Sequence, residues 1–219
     1  MKKKRLTLIH TSGVMIPVFA ELCSELLPGV EIVHMVDESL LKDIIRDNDL
    51  TKPTARRVVG HILSAGQAGT DLILVTCSSI GPAAELGREL VDVPVMRVDE
   101  PMAASAVKKG SHIGVVATLA STLNPTVDLI RSKAKAEAKD VQVTASLCEG
   151  AFQAVISGDP ATHDRIVASG IQDLIDRVDV IVLAQASMAR VVKALPAASI
   201  TIPVLASPRL AIEHLAHVL

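Results

Sequence analysis

Cys77 stands at the end of an apolar run and is followed by small and polar residues, in the segment LVTCSSIGPAAE (74–85). A thiol at the end of a strand and the start of a helix lies near free backbone N–H groups, which lower a thiol's pKa and hold an anion. Such a thiolate can transfer a proton at the carbon next to a carboxylate, or add to an activated double bond. The alternative is an inert buried cysteine, the usual state of a free cysteine.

A second segment, VLAQASMARV (182–191), is similar to the first but has Gln185 where the cysteine would be expected. Around it, DVIVLAQAS (179–187) aligns with DLILVTCSS (71–79), and three further pairs of strand-like segments align in the same order at nearly the same spacing. Simple alternation of strands and helices explains their apolar character, but not the Asp, Thr, Pro-Val and Glu that the pairs share. The sequence therefore predicts an internal duplication.

Strand-like runs alternate with helix-like stretches throughout both halves, which predicts parallel sheets with right-handed crossovers. We therefore predict an α/β fold with two similar Rossmann-like lobes related by pseudo-twofold symmetry. The first lobe comprises residues 1–100 plus 207–219, and the second comprises residues 101–206. Because open α/β sheets bind ligands at the carboxyl ends of their strands, we expect a ligand cleft between the lobes, with Cys77 and Gln185 opposed across it.

Three segments, VTCSSIGP, IGVVATLASTLNPT and VLAQASMARV, resemble the aspartate/glutamate racemase superfamily, which includes hydantoin racemase, maleate isomerase and arylmalonate decarboxylase. The resemblance covers nearly the whole chain, with all three segments in order. It implies two Rossmann-like lobes, a cleft between them and no cofactor. It also implies that two catalytic cysteines face the α-carbon of the substrate from opposite sides. Cys77 matches the first cysteine, and Gln185 occupies the position of the second.

The glutamine changes the expected chemistry, because an amide has no pKa useful for proton transfer and can only hydrogen-bond. Racemisation by two bases is therefore not supported. We expect an isomerase-like enzyme that acts through the single thiol of Cys77 at the carbon next to the carboxylate of a small acid. A one-cysteine decarboxylase or lyase, a covalent cis–trans isomerase and a non-catalytic protein that binds small carboxylates remain alternatives.

Hydroxyl-bearing or small residues at the predicted strand ends are the candidates for substrate binding. Thr118, Ser121 and Thr122 match the threonine-rich substrate loop of the superfamily by resemblance. The alternative for each hydroxyl is a helix N-cap. His10 precedes the first strand end and is a possible further member of the site. The complete candidate set for binding is Thr11, Ser12, Ser78, Ser79, Thr118, Ser121, Thr122, Ala186 and Ser187.

Composition excludes several other classes of function. The chain has two Phe, no Trp and no Tyr, and a formal net charge of -2, which argue against nucleic acids as partners. No run reaches the roughly 18 apolar residues that a membrane span needs. The three cysteines lack CxxC spacing and the histidines form no HxH or HExxH pattern, so no disulfide or metal site is indicated. We expect a cytoplasmic protein without cofactor, and a homodimer or higher homo-oligomer because 49% of the residues are hydrophobic.

Overall fold

The computed structural model describes residues 3–196 and 199–219. The chain divides into two units, the first ending at Asp99 and including Pro208–Leu219, and the second running over Glu100–Ser207. Each unit is a four-stranded parallel sheet with helices on its faces, which confirms the predicted α/β fold with two similar sheets. No helix within the described ranges is long and apolar enough to cross a membrane.

The first unit has the strand order β2-β1-β3-β4. The register aligns Leu8 with His34 on one side and with Leu74 on the other, and Leu74 with Met96. The elements in chain order are β1 (Arg5–His10), α1 (Ile16–Leu26), β2 (Glu31–Val36), α2 (Glu38–Asp47), α3 (Lys52–Gln67), β3 (Leu72–Val75), α4 (Gly81–Arg88) and β4 (Val95–Arg97).

The second unit has the strand order β6-β5-β7-β8, which is the order that an internal duplication requires. The elements are α5 (Glu100–Lys109), β5 (His112–Ala117), α6 (Ala120–Ala136), β6 (Gln142–Leu147), α7 (Ala151–Ile156), α8 (Pro160–Ile175), β7 (Val180–Leu183), α9 (Ala189–Ala194) and β8 (Val204–Ala206). The last helix, α10 (Ser207–Val218), packs against the first unit, where Ala211, Ile212 and Leu215 join its core.

Alternating side chains place the strand residues of the first unit in two apolar layers, because successive residues of a strand point to opposite faces. Leu6, Leu8 and Leu74 pack in the layer with α1 and α10. Ile73 and Val75 pack in the layer with α2, α3 and α4. The same alternation continues just beyond the strand ends. It places the side chains of Cys77 and His10, two candidate site residues, in different layers.

Candidate functional site

Cys77 follows β3 in an extended backbone conformation (φ -129°, ψ 121°) and begins a short 3-10 helix, Ser78–Ile80. That helix continues directly into α4 at Gly81. The side chain is half-buried and packs against the apolar layer of α3 and α4. The predicted junction between a strand end and a helix start is therefore present at Cys77.

The other two cysteines differ from Cys77 in exposure and in ionisation. Cys23 and Cys148 are both buried, and burial raises the pKa of each thiol to about 11, with the charge of Asp173 contributing for Cys148. Both are therefore protonated and shielded at neutral pH. Of the three cysteines, all within the described residues, Cys77 is the one that solvent or a ligand can reach.

Candidate hydroxyls of the first unit lie at the same edge of its sheet as Cys77, since β1 and β3 are neighbours. Thr11, Ser78 and Ser79 are buried there, and Ser12 is half-buried. Ser12 precedes the 3-10 helix Gly13–Met15, but its side chain makes no capping hydrogen bond. The N-cap alternative therefore does not account for Ser12.

Beside the turn that follows Cys77 lies a buried ion pair that the sequence analysis missed. Arg97, 3% exposed at the end of β4, donates through Nε and Nη2 to the two carboxylate oxygens of the fully buried Asp99, at 3.0 and 2.8 Å. Its Nη1 donates to Glu85 Oε1 of α4 at 2.5 Å. A Cβ atom at Gly81 would lie 2.4 Å from Arg97 Cζ, so a glycine at this position lets the guanidinium lie against the start of α4.

His10 lies in the other apolar layer, with its ring 5.6 Å from that of Phe19. Both ring nitrogens are engaged, since Nδ1 is 2.9 Å from Thr76 Oγ1 and Nε2 is 2.9 Å from His34 Nδ1. The Thr76 hydroxyl donates to the Ile9 carbonyl at 3.0 Å, which makes it the acceptor for His10. The structure therefore places His10 in a hydrogen-bonded chain on the face of the sheet away from the Cys77 side chain.

The buried imidazole of His10 should make stability depend on pH. Burial, together with the charge of His34, lowers the pKa of His10 to about 4 from an ordinary 6.5. Between these values the unfolded chain binds a proton that the folded chain does not. The free energy of unfolding is therefore complete above pH 6.5 and falls on acidification towards pH 4, by on the order of 3 kcal/mol.

We expect the substitution His10→Gln to remove most of this pH dependence, measured by urea denaturation between pH 7 and 4.5. The matched control is His214→Gln, which changes an exposed histidine of the same unit and should keep the wild-type slope. An unchanged slope in His10→Gln would show that other groups cause the dependence.

In the second unit, Gln185 occupies the same local structure as Cys77. It follows β7 in an extended conformation (φ -125°, ψ 139°) and begins the 3-10 helix Ala186–Met188. Its carboxamide makes two hydrogen bonds to Thr118, the residue after β5. Gln185 Oε1 accepts from the Thr118 backbone N–H at 2.7 Å, and Gln185 Nε2 donates to Thr118 Oγ1 at 2.6 Å.

The other candidates of the second unit differ in exposure and in their position within the helices. Ala186 is half-buried and Ser187 is exposed, both in the 3-10 helix after Gln185. Ser121 and Thr122 lie inside the first turn of α6, whose N-cap is Leu119, so neither is the N-cap. Within the described part of the chain, no group of three or more His, Cys, Asp or Glu side chains could hold a metal ion.

Comparisons with known proteins agree with this architecture. The sequence model of the family described as Asp/Glu/Hydantoin racemase matches residues 9–215. Allantoin racemase from Klebsiella pneumoniae superposes with a TM-score of 0.71 at 19% identity, covering 98% of this chain and 86% of that chain. A putative Asp/Glu racemase from Yersinia pestis gives a TM-score of 0.75 at 16% identity, covering 98% of both chains.

Glutamate racemase from Francisella tularensis in complex with D-glutamate gives a TM-score of 0.74 at 14% identity, covering 100% of this chain and 81% of that chain. No curated protein sequence matches the chain. At these identities the structural likenesses show the fold, whereas the family match extends over nearly the whole sequence and confirms the resemblance. The chain therefore belongs to the Asp/Glu/hydantoin racemase family.

Proposed function

We propose that the protein is a cofactor-independent enzyme that uses the single thiol of Cys77 at the carbon next to the carboxylate of a small acid. The observation that carries this proposal is the contrast among the cysteines. Cys77 is half-buried at the junction of β3 with a helical turn, whereas Cys23 and Cys148 are buried and protonated. A reactive thiol needs access, which the half-buried Cys77 has, and nearby backbone donors, which the start of a helical turn is expected to provide.

The hydroxyls near Cys77 are suited to hold the carboxylate of the substrate. Thr11, Ser12, Ser78 and Ser79 reach the same sheet edge, where hydroxyls and backbone N–H groups are donors to oxyanions. A carboxylate held there places its α-carbon beside the thiol. The thiolate form of Cys77 takes the α-proton, and the thiol form returns a proton to the resulting carbanion.

Gln185 limits the reaction to chemistry that one thiol can complete. Its amide neither takes nor gives a proton at neutral pH, and both of its polar atoms bind Thr118. The reactions compatible with this arrangement are isomerisation by one base, decarboxylation or elimination with protonation by Cys77, and cis–trans isomerisation by addition and loss of the thiolate. The binding of Gln185 to Thr118 also favours a second candidate, a non-catalytic protein that binds small carboxylates.

Alkylation of the folded protein distinguishes the two candidates. With limiting iodoacetamide at pH 7, we expect Cys77 to be modified first, as located by peptide mass spectrometry. Cys23 and Cys148 serve as internal controls and should react only after unfolding, because both are buried. Small carboxylates should slow the reaction at Cys77. A folded protein whose Cys77 does not react would contradict the enzyme and support the binding protein.

A further inference from the structure

A cavity of about 260 Å³ lies in the first unit, between α1 and the first half of β2. The turn that joins the two elements contains Gly29, whose φ is 89°, and a Cβ atom built on this glycine would meet nothing within 4 Å. On the α1 side, Ala20 presents only a methyl group to the space. The cavity belongs to the layer of α1, whereas Cys77 packs in the layer of α3 and α4.

The walls of this cavity are largely apolar and carry no fixed charge. Val30, Ile32 and His34 alternate along the chain, so their side chains point to the same face of the sheet. Opposite them lie Leu27 and the thiol of Cys23, whose pKa burial raises to about 11. None of the lining residues, all within the described ranges, is Asp, Glu, Lys or Arg. Because a charged ligand would lose its hydration here without a counterion, the walls favour a neutral molecule.

The protonation of His34, the ring that lines the cavity, follows from the hydrogen-bonded chain behind it. The Thr76 hydroxyl donates to the Ile9 carbonyl, and therefore accepts from His10 Nδ1. His10 is neutral at pH 7, because burial and the charge of His34 lower its pKa to about 4. Its Nε2 then carries a lone pair and accepts a hydrogen bond from His34 Nδ1, 2.9 Å away.

His34 therefore keeps a free acceptor at its other nitrogen. Burial lowers the pKa of His34 from 6.5, so the ring is neutral at pH 7, and with its proton on Nδ1 the lone pair lies on Nε2. Within the part of the chain that the structure describes, no group donates to this nitrogen. A half-buried acceptor in an apolar surrounding gains from a hydrogen bond that a ligand donates.

We propose that this cavity binds a small neutral molecule with an apolar body and one O–H donor, such as a phenol, whose hydroxyl donates to His34 Nε2. An apolar cavity of about 150 Å³ holds benzene. The 260 Å³ available here therefore accommodate one ring with a short substituent. The site is separate from Cys77 and does not rest on the proposed function.

Proton–carbon NMR of the full-length protein tests this site, with the methyl groups of Val30 and Ile32 as reporters. The probes are para-cresol, para-xylene, which has the same shape without the donor, and para-toluate, which carries a negative charge. In the wild type we expect saturable shifts with para-cresol and none with para-toluate. A wild type that gives no saturable shift with para-cresol, or that binds para-toluate equally well, would overturn the proposal.

The substitution His34→Asn tests the hydrogen bond itself. An asparagine amide keeps a donor for His10 near the position of Nδ1 but has no atom at the position of Nε2. The preference for para-cresol over para-xylene should therefore fall by about fivefold or more, as the loss of one buried hydrogen bond predicts. The matched control, His214→Asn, changes an exposed histidine of the same unit and should keep the wild-type preference. An equal preference in His34→Asn and in the wild type would contradict the role of His34.

A second measurement needs no variant and so does not depend on the folding of His34→Asn. The nitrogen resonance of His34 Nε2 in the wild type should move on saturation with para-cresol, because its lone pair accepts a hydrogen bond, and should move much less with para-xylene. Equal movement with both probes would overturn the proposal.

Discussion

Replacement of Cys77 by alanine is expected to abolish turnover. General acid–base catalysis contributes about 10²–10⁴-fold to a rate, so the turnover rate should fall by at least this factor, and by more if the thiol also forms a covalent bond. The reason is that no other thiol can substitute, since Cys23 and Cys148 are buried with their pKa raised to about 11. The measurement is proton NMR in D₂O with a panel of small acids that includes alanine, lactate, aspartate, malate, maleate and methylmalonate. Exchange of the α-proton, decarboxylation and cis–trans isomerisation each give a distinct spectrum.

Two further variants test whether the loss of turnover is specific to the thiol of Cys77. Cys77→Ser should be nearly as inactive as Cys77→Ala, because a hydroxyl is a far weaker acid than a thiol. Cys23→Ala removes a buried thiol of the same unit and should keep turnover per folded molecule. Turnover that survives in Cys77→Ala would contradict the single-thiol mechanism. Racemisation by the wild type with exchange at both faces of the α-carbon would instead require a second proton donor.

The parallel sheets and the duplication could be predicted because buried parallel strands leave a strong signal, a short apolar run that ends at polar or small residues. That signal also located Cys77 and Gln185, which occupy equivalent positions after β3 and β7. Short helices leave a weaker signal than the buried strands. Helix α7 has only six residues and begins after Gly150, whose φ is 79°, so it is too short for a helical period to be recognised.

Side-chain pairing in the site could not be predicted, because it depends on residues that are distant in the sequence. Gln185 and Thr118 are 67 positions apart, and their mutual hydrogen bonds follow from the pairing of β5 with β7. The buried ion pair did leave a signal that was overlooked. In VPVMRVDE (93–100), Arg97 and Asp99 are two positions apart near a strand end, so both side chains point to the same face.

The largest effect on stability is expected at this ion pair. Asp99→Ala should lower the free energy of unfolding by about 3–5 kcal/mol, because it leaves the Arg97 guanidinium buried without its two-point partner. Glu85 still accepts from Nη1, but its side chain is 49% exposed and cannot replace a fully buried carboxylate. Urea denaturation at pH 7 measures the loss. The matched control is Glu85→Ala, for which the loss should be about 1 kcal/mol or less, as for exposed ion pairs.

The double variant Arg97→Met, Asp99→Leu separates the cost of removing Asp99 from a buried guanidinium from the contribution of the pair. Buried ion pairs are often replaced by apolar side chains without loss, so the double variant should regain most of the stability that Asp99→Ala loses.

The guanidinium also lies against Gly81, four residues after Cys77, where an added Cβ would clash with it. We therefore expect the double variant to alter the rate at which iodoacetamide modifies Cys77 even where its stability is restored. A restored stability together with an unchanged alkylation rate would show that the ion pair contributes to folding and not to the reactivity of Cys77. A stability as low as that of Asp99→Ala would show that the geometry of the pair, and not the loss of Asp99 beside a buried guanidinium, stabilises this unit.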